Sequence, residues 1–326
     1  MQQHEQQPTT SETGTAGADV SNWERELLTR LALSTLNEQR RARRWRTFFV
    51  LLGFIYFGIV LLLLTDSDWE GTGKGGPHTA VIDVTGVIAA EMPANAEFVI
   101  DGLKAAFEDE DTAGVILRIN SPGGSPVQAG QIYDEVVRLR NRYPDIPVYA
   151  VIEDVGASGG YYIAAAAEKI YADKASIVGS IGVRMDSFGF VDAMKKLGIE
   201  RRLLTAGENK ASLDPFLPEN KQDKEHMQTM LNTIHQQFIQ AVKSQRGDRL
   251  VGGDEIFSGL FWTGEKSVAL GLVDELGNIN YVAREVIGQE ELRDFTKHED
   301  FFTRLMEEGS VQLMNSLYSR IRFQMY

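Results

Sequence analysis

Nineteen consecutive residues, 47–65 (TFFVLLGFIYFGIVLLLLT), carry no charge. As a helix rising 1.5 Å per residue, such a run is about 28 Å long, close to the hydrocarbon thickness of a bilayer. Arg40, Arg41, Arg43, Arg44 and Arg46 stand before it; Asp66, Asp68, Trp69 and Glu70 come after it. Arginines hold their side of a span in the cytoplasm, so the C-terminal bulk of the chain is expected outside. A buried core helix accounts for the run less well, since such helices are rarely apolar on every face. So does a cleaved signal peptide, because the run starts near residue 47 and no small-residue cleavage site follows. The sequence predicts an uncleaved, single-pass anchor.

The rest of the chain divides around that span. Residues 1–46 form a polar cytoplasmic tail. Within it, a capping-box pattern at Ser21–Glu24 leads into Trp23, Leu27, Leu28 and Leu31 at helical spacing. Residues 66–78 form a glycine-rich tether whose GTGKGG run lacks the spacing of a phosphate loop. Residues 79–290 form the main domain, and residues 291–326 an extension with Leu313, Leu317 and Ile321 on one helical face. The tail is nearly neutral, with 7 basic and 6 acidic residues, while the remainder carries 26 against 40. An acidic outer domain argues against nucleic-acid binding. The absence of cysteine excludes disulfides, thiolate metal sites and a cysteine nucleophile. The reading calls for no cofactor and no metal.

Within residues 79–290 strand and helix patterns alternate. Strands are expected at 79–88, 114–119, 147–153, 170–172 and 203–205. Helices are expected at 96–107, 127–143, 158–168, 219–246, 264–271 and 282–287. That alternation predicts an α/β fold with a largely parallel sheet, and no internal repeat divides it.

The chemically suggestive loops fall at strand ends. Asn-Ser-Pro-Gly-Gly-Ser at 120–125 is either a tight turn with a capping serine or a cradle of N–H groups for an oxyanion. Gly-Ala-Ser-Gly-Gly at 156–160 matches the Gly-x-Ser-x-Gly elbow, so Ser158 is a nucleophile or a helix cap. His226 and His235 lie in a long polar helix and His298 in a charged run, and all three read as solvated positions. Lysine is the remaining base. Lys210 sits in a small-residue loop, as a solvated lysine or as a base that burial must keep neutral, against an ordinary pKa of about 10.4. Ser180, in Gly-Ser-Ile-Gly-Val at 179–183, either closes a turn or holds a lysine amine.

Taken in order, NSPGGS (120–125), GASGGYYIA (156–164), GSIGV (179–183) and GENKA (207–211) resemble the bacterial signal peptide peptidase A family of membrane-anchored Ser–Lys peptidases. The resemblance implies a crotonase-like or Clp-protease-like spiral fold, preceded by one transmembrane helix. It implies Ser158 as nucleophile, Lys210 as general base, Ser180 as the group orienting the amine, and an oxyanion hole from Gly159 with Gly123 or Gly124. It further implies a location in the bacterial cytoplasmic membrane, with the catalytic domain periplasmic or otherwise extracytoplasmic. The implied partners are cleaved signal peptides as substrates, the lipid bilayer, and identical chains in a ring or dome, an octamer among the options. In such a ring Lys210 reaches either the serine of its own chain or a neighbour's. Two other functions fit parts of the pattern. One is a crotonase-like acyl-thioester enzyme drawing on Glu153 and Asp154. The other is a non-catalytic membrane scaffold.

Overall fold

The computed structural model describes residues 40–41, 43–60 and 75–298. The amphipathic pattern of the tail, most of the tether and residues 299–326 lie outside the described residues. Residues 43–60 are helical. Among the described residues no helix is long and apolar enough to cross a membrane. The expected span is described only as far as residue 60, and its last five residues lie outside.

The domain from residue 75 onward is built on a parallel sheet. Its strands are β1 (His78–Thr85), β2 (Thr112–Ser121), β3 (Val148–Ala157), β4 (Lys169–Ala172), β5 (Ile177–Gly179), β6 (Phe261–Thr263), β7 (Glu275–Leu276) and β8 (Leu292–Asp294). The main path runs β6-β5-β3-β2-β1-β8, with β4 pairing β3 and β7 pairing β4. Every pair is parallel except β5 with β6. This mixed α/β architecture fits the Clp-protease-like class expected from the sequence.

Strand β3 is the branch point. Tyr149–Ile152 pair with β4, whereas Val155–Ala157 pair with β5. The central strands are apolar because both faces are covered. Ile116, Leu117 and Ile119 of β2 are wholly buried, each contributing about 1.5–3 kcal/mol of transfer free energy.

The crossover helices start where the sequence supplies caps. Helix α1 (Ala96–Glu108) begins after Asn95, whose side chain accepts from the Phe98 N–H at 2.8 Å. Helix α2 (Pro126–Arg142) begins after Ser125, with proline at the first helical position. The short α3 (Gly159–Ala165) follows β3 directly. Helix α4 (Val191–Leu197) buries no residue. The 26-residue α5 (Lys221–Arg246) buries only Phe238, Val242 and Arg246. Helix α6 (Gly264–Ala269) and α7 (Ile279–Tyr281) follow, and α7 runs into a π-helical turn at Val282–Ile287.

Three features differ from the expected elements. Residues 203–205 form no strand and Leu204 is 99% exposed, because nothing among the described residues covers that apolar run. The strands β5, β6, β7 and β8 have two or three residues each, too few to show a period of two. Strand β8 adds to β1 past residue 290, and Phe295 N–H continues the ladder to the Val81 carbonyl at 2.9 Å.

The base of α5 is fastened by a buried ion pair. Arg246, fully buried, donates to Asp274 at 2.6 Å and to the Gly271 carbonyl at 2.7 and 3.0 Å. Burial pushes the Asp274 carboxyl up, but the Arg246 bond and charge, the Ile170 N–H and Arg249 outweigh it and hold the group below its usual value. A depressed carboxyl stabilises the fold above its unfolded pKa of about 3.9, and the contribution fades as pH falls through the folded value. Asp274→Asn is therefore expected to lower the melting temperature at pH 7, and the deficit should shrink towards zero as the melts are taken to pH 2. A deficit of equal size at both pH values would contradict the assignment.

Candidate active site

The two glycine turns end adjacent parallel strands, so the sheet brings them side by side. Residues 120–125 close β2 and open α2; residues 156–160 close β3 and open α3. Their backbones touch. A Cβ on Gly123 would lie 2.7 Å from the Gly159 nitrogen and 2.7 Å from the Ser158 Cβ. One on Gly124 would lie 2.1 Å from the Ile88 carbonyl oxygen. Gly123 and Gly124 also have φ of +98° and +156°. Only glycine fits at both places.

Ser158 opens α3 in an unusual backbone state, with φ +51° and ψ −120°. This lies outside the regions open to residues with a side chain. Two hydrogen bonds enforce it: Ser158 N–H to the Gly179 carbonyl at 2.8 Å, and Tyr162 N–H to the Ser158 carbonyl at 2.9 Å. The side chain makes no capping bond. Ser125 is the contrast, since its hydroxyl caps α2 by accepting from the Gln128 N–H. Of the two serines, the capping account fits Ser125 and fails for Ser158.

The amide groups around Ser158 are not equivalent. Gly123 N–H donates to the Ser121 hydroxyl at 3.1 Å, and that hydroxyl donates to the Gly86 carbonyl at 2.6 Å. Among the described residues, the N–H groups of Gly124 and Gly159 have no such partner. They are close together, with the Gly124 nitrogen 3.3 Å from where a Gly159 Cβ would sit. Two unengaged amides at a helix start, next to an unengaged hydroxyl, form a site suited to a developing oxyanion.

These groups open into a cleft of about 780 Å³, lined by Gly123, Gly124, Ser158, Gly159 and Ser180. Ser180 also has positive φ, +52°, and its N–H donates to the Leu260 carbonyl at 2.7 Å. Thus five of the six residues singled out by sequence share one cleft. The sixth does not. Lys210 is exposed and absent from the cleft wall, in a turn where its own side chain lies near Gly207. Glu153 and Asp154 are exposed and also outside the wall, which leaves the acyl-thioester reading without its acids.

His235 corrects the sequence reading. It is half-buried in the cleft wall, and its Nε2 lies 3.0 Å from the Ile181 carbonyl, one residue past Ser180. A carbonyl only accepts, so Nε2 carries the proton and Nδ1 is left as an acceptor in the neutral ring. The polar run around His235 looks like a solvated face because a wet cleft and bulk water select the same residues. Its apolar companions, Leu231, Ile234 and Phe238, also line the cleft.

Residues 140–293 match the family model for peptidase family S49. A putative protease of Synechocystis is 31% identical over 201 residues, 61% of this chain and 69% of that protein. The chain belongs to peptidase family S49. A putative signal peptide peptidase SppA of Enterococcus faecium is 26% identical over 72% of this chain and 77% of that protein. A protein of Brucella abortus named as the Na(+)/H(+) antiporter NhaA is 47% identical over 186 residues. Those residues are 57% of this chain but only 25% of the antiporter, so this chain spans a minor part of that relative. The family match begins inside α2 and covers the Ser158 turn, Ser180 and Lys210, while the 120–125 turn lies before it.

The backbone strain at Ser158 is directly measurable. Ser158→Ala keeps the Cβ and so keeps the strain; Ser158→Gly removes it. The glycine variant is expected to be more stable by about 1 kcal/mol, once glycine's greater freedom in the unfolded chain is deducted. Urea denaturation of the two variants side by side checks the order, and alanine at or above glycine would remove the strain argument.

Proposed function

We propose that the chain is a membrane-anchored serine endopeptidase acting through a Ser–Lys dyad. One observation carries the reading. The Ser158 hydroxyl, freed from any capping role, faces a cleft beside the two unengaged amides of Gly124 and Gly159. In the reaction Lys210, as a neutral amine, takes the Ser158 proton. Oγ attacks a peptide carbonyl, and the oxyanion is held by the Gly124 and Gly159 N–H groups. The ammonium then gives its proton to the leaving amine, and water hydrolyses the acyl-enzyme. Ser180 hydrogen-bonds the amine and aims it.

An amine in bulk water is an ammonium and takes no proton, so exposed Lys210 needs a dry seat. We assign that seat to the cleft of a second copy in a ring or dome of identical chains. The segment carrying Lys210 supports this. Met185, Phe188, Leu197, Ile199 and Leu204 are 52–99% exposed there, a surface suited to burial against another chain. Its own order comes from Phe190 stacked on Phe216 at 5.5 Å and from Arg201, which lies over Phe216 and pairs with Asp214 at 2.6 Å.

The proposed substrates are cleaved signal peptides and other apolar membrane-derived segments, with small or aliphatic side chains at the cut. The proposed anchor is the 47–65 run, with the catalytic domain on the extracytoplasmic side of a bacterial inner membrane.

Ser158→Ala and Lys210→Ala are each expected to lower peptidase activity roughly a thousandfold or more. Co-assembly of the two inactive variants distinguishes the arrangements. In a randomly mixed closed ring, about a quarter of the sites would combine an intact serine with a neighbour's intact lysine, so about a quarter of the activity should return. Assembled mixtures without recovery would place the dyad within one chain. Activity surviving both single substitutions would end the Ser–Lys reading.

A further inference from the structure

The wall of the cleft opposite the glycine turns is α5, and it presents two rows. Leu231, Ile234 and Phe238 form an apolar row; Gln228, Asn232 and His235 form a polar one. Gln228 Nε2 donates to Asn232 Oδ1 at 2.9 Å, which fixes the two amides relative to each other. His235 is fixed by the Ile181 carbonyl. After these bonds each residue keeps a group to offer: the Gln228 oxygen as acceptor, the Asn232 NH₂ as donor, and His235 Nδ1 as acceptor. Among the described residues these groups have no protein partner.

We propose that Gln228, Asn232 and His235 form a rail that binds the main chain of an extended peptide substrate. The inference rests on the peptidase reading above and specifies how that cleft recognises its substrate class. Like main-chain groups on one edge of an extended peptide recur about every 6.8 Å, while Gln228 and His235 stand about 10 Å apart along the helix. Their tips meet N–H groups two residues apart by leaning together about 3–4 Å, the direction in which the bond to Asn232 already draws Gln228. From Gln228 to His235 the rail is about 10 Å long, enough for three residues of extended peptide. The sequence of groups also fits, because acceptor, donor, acceptor complements the N–H and C=O groups along such an edge. Main-chain bonding ignores side-chain identity, which suits an enzyme that disposes of varied segments. Selection for apolar side chains then falls to the Leu231, Ile234 and Phe238 row.

The test uses the full-length assembled protein and fluorogenic leucine- and alanine-rich peptides of four to ten residues. Asn232→Ala and Gln228→Ala are expected to raise KM about fivefold for the longer peptides, the effect of one hydrogen bond of about 1 kcal/mol, with kcat changed less than twofold. Peptides too short to reach the rail should show no KM change. N-methylating successive backbone nitrogens of a long peptide should locate two positions whose methylation weakens binding to the parent protein, one facing His235 Nδ1 and the other facing the Gln228 oxygen. A methyl group at the latter should cost little further in Gln228→Ala. Because this peptide scan is done on the parent protein, it remains decisive if a variant misfolds. A small fluorophosphonate, which does not reach α5, reports on Ser158 separately. If the parent protein fails to label at Ser158, the nucleophile reading falls and takes this one with it. If it labels normally while KM and the methylation scan stay flat, only the rail is overturned.

Discussion

The site depends on two backbones packed closer than any side chain would permit. The turn after β2 and the start of α3 meet at Gly123, Gly124 and Gly159. A single methyl group at Gly123 would overlap both the Gly159 nitrogen and Ser158. Parallel pairing of β2 with β3 sets this approach, since it ends both strands on the same edge of the sheet. From the contact follow the direction of the Gly159 amide, the engagement of Gly123 by Ser121, and the freedom of Gly124. The hydroxyl of Ser121 thereby decides which amide of a Gly-Gly pair remains available.

A second constraint ties the Ser180 turn to that contact. The Gly179 carbonyl accepts from Ser158 N–H, and Ser180 N–H reaches the Leu260 carbonyl beside edge strand β6. His235 then holds the Ile181 carbonyl from α5. Three consecutive residues are bound to three different parts of the fold. The backbone of Ser180 is therefore held in place relative to Ser158 although β5 has only three residues.

Much of this was legible in the sequence. Glycine pairs at the ends of apolar runs mark sharp turns, and those turns carry Gly123, Gly124, Ser158, Gly159 and Ser180, which the fold brings to one cleft. The long helix of residues 219–246 was also plain, since Met230, Leu231, Ile234, Phe238 and Val242 recur at helical spacing. What that pattern could not convey is what the helix faces. Its apolar residues divide between the core at Val242 and an open cleft at Leu231 and Ile234, with Phe238 buried and also in the cleft wall. His235 looked solvated for the same reason. The apolar run at 203–205 misled in the opposite direction, because hydrophobicity there is not matched by burial within one chain. Nor does the sequence distinguish Gly123 from Gly124, since the difference lies in a hydroxyl two residues earlier.

The anchoring of α5 has a mechanical consequence. All three residues it buries lie in its final nine positions, and the Arg246–Asp274 pair clamps its last turn. The helix is about 39 Å long, so most of it extends as a cantilever from a rigid root. Rotation by about 5° about Phe238, where burial begins, would displace the far tip by about 2 Å and move His235 by less than about 0.5 Å. The cleft thus has a stiff end at Ser158 and a compliant end further out, so that its mouth can change width without disturbing the Gly124 and Gly159 amides.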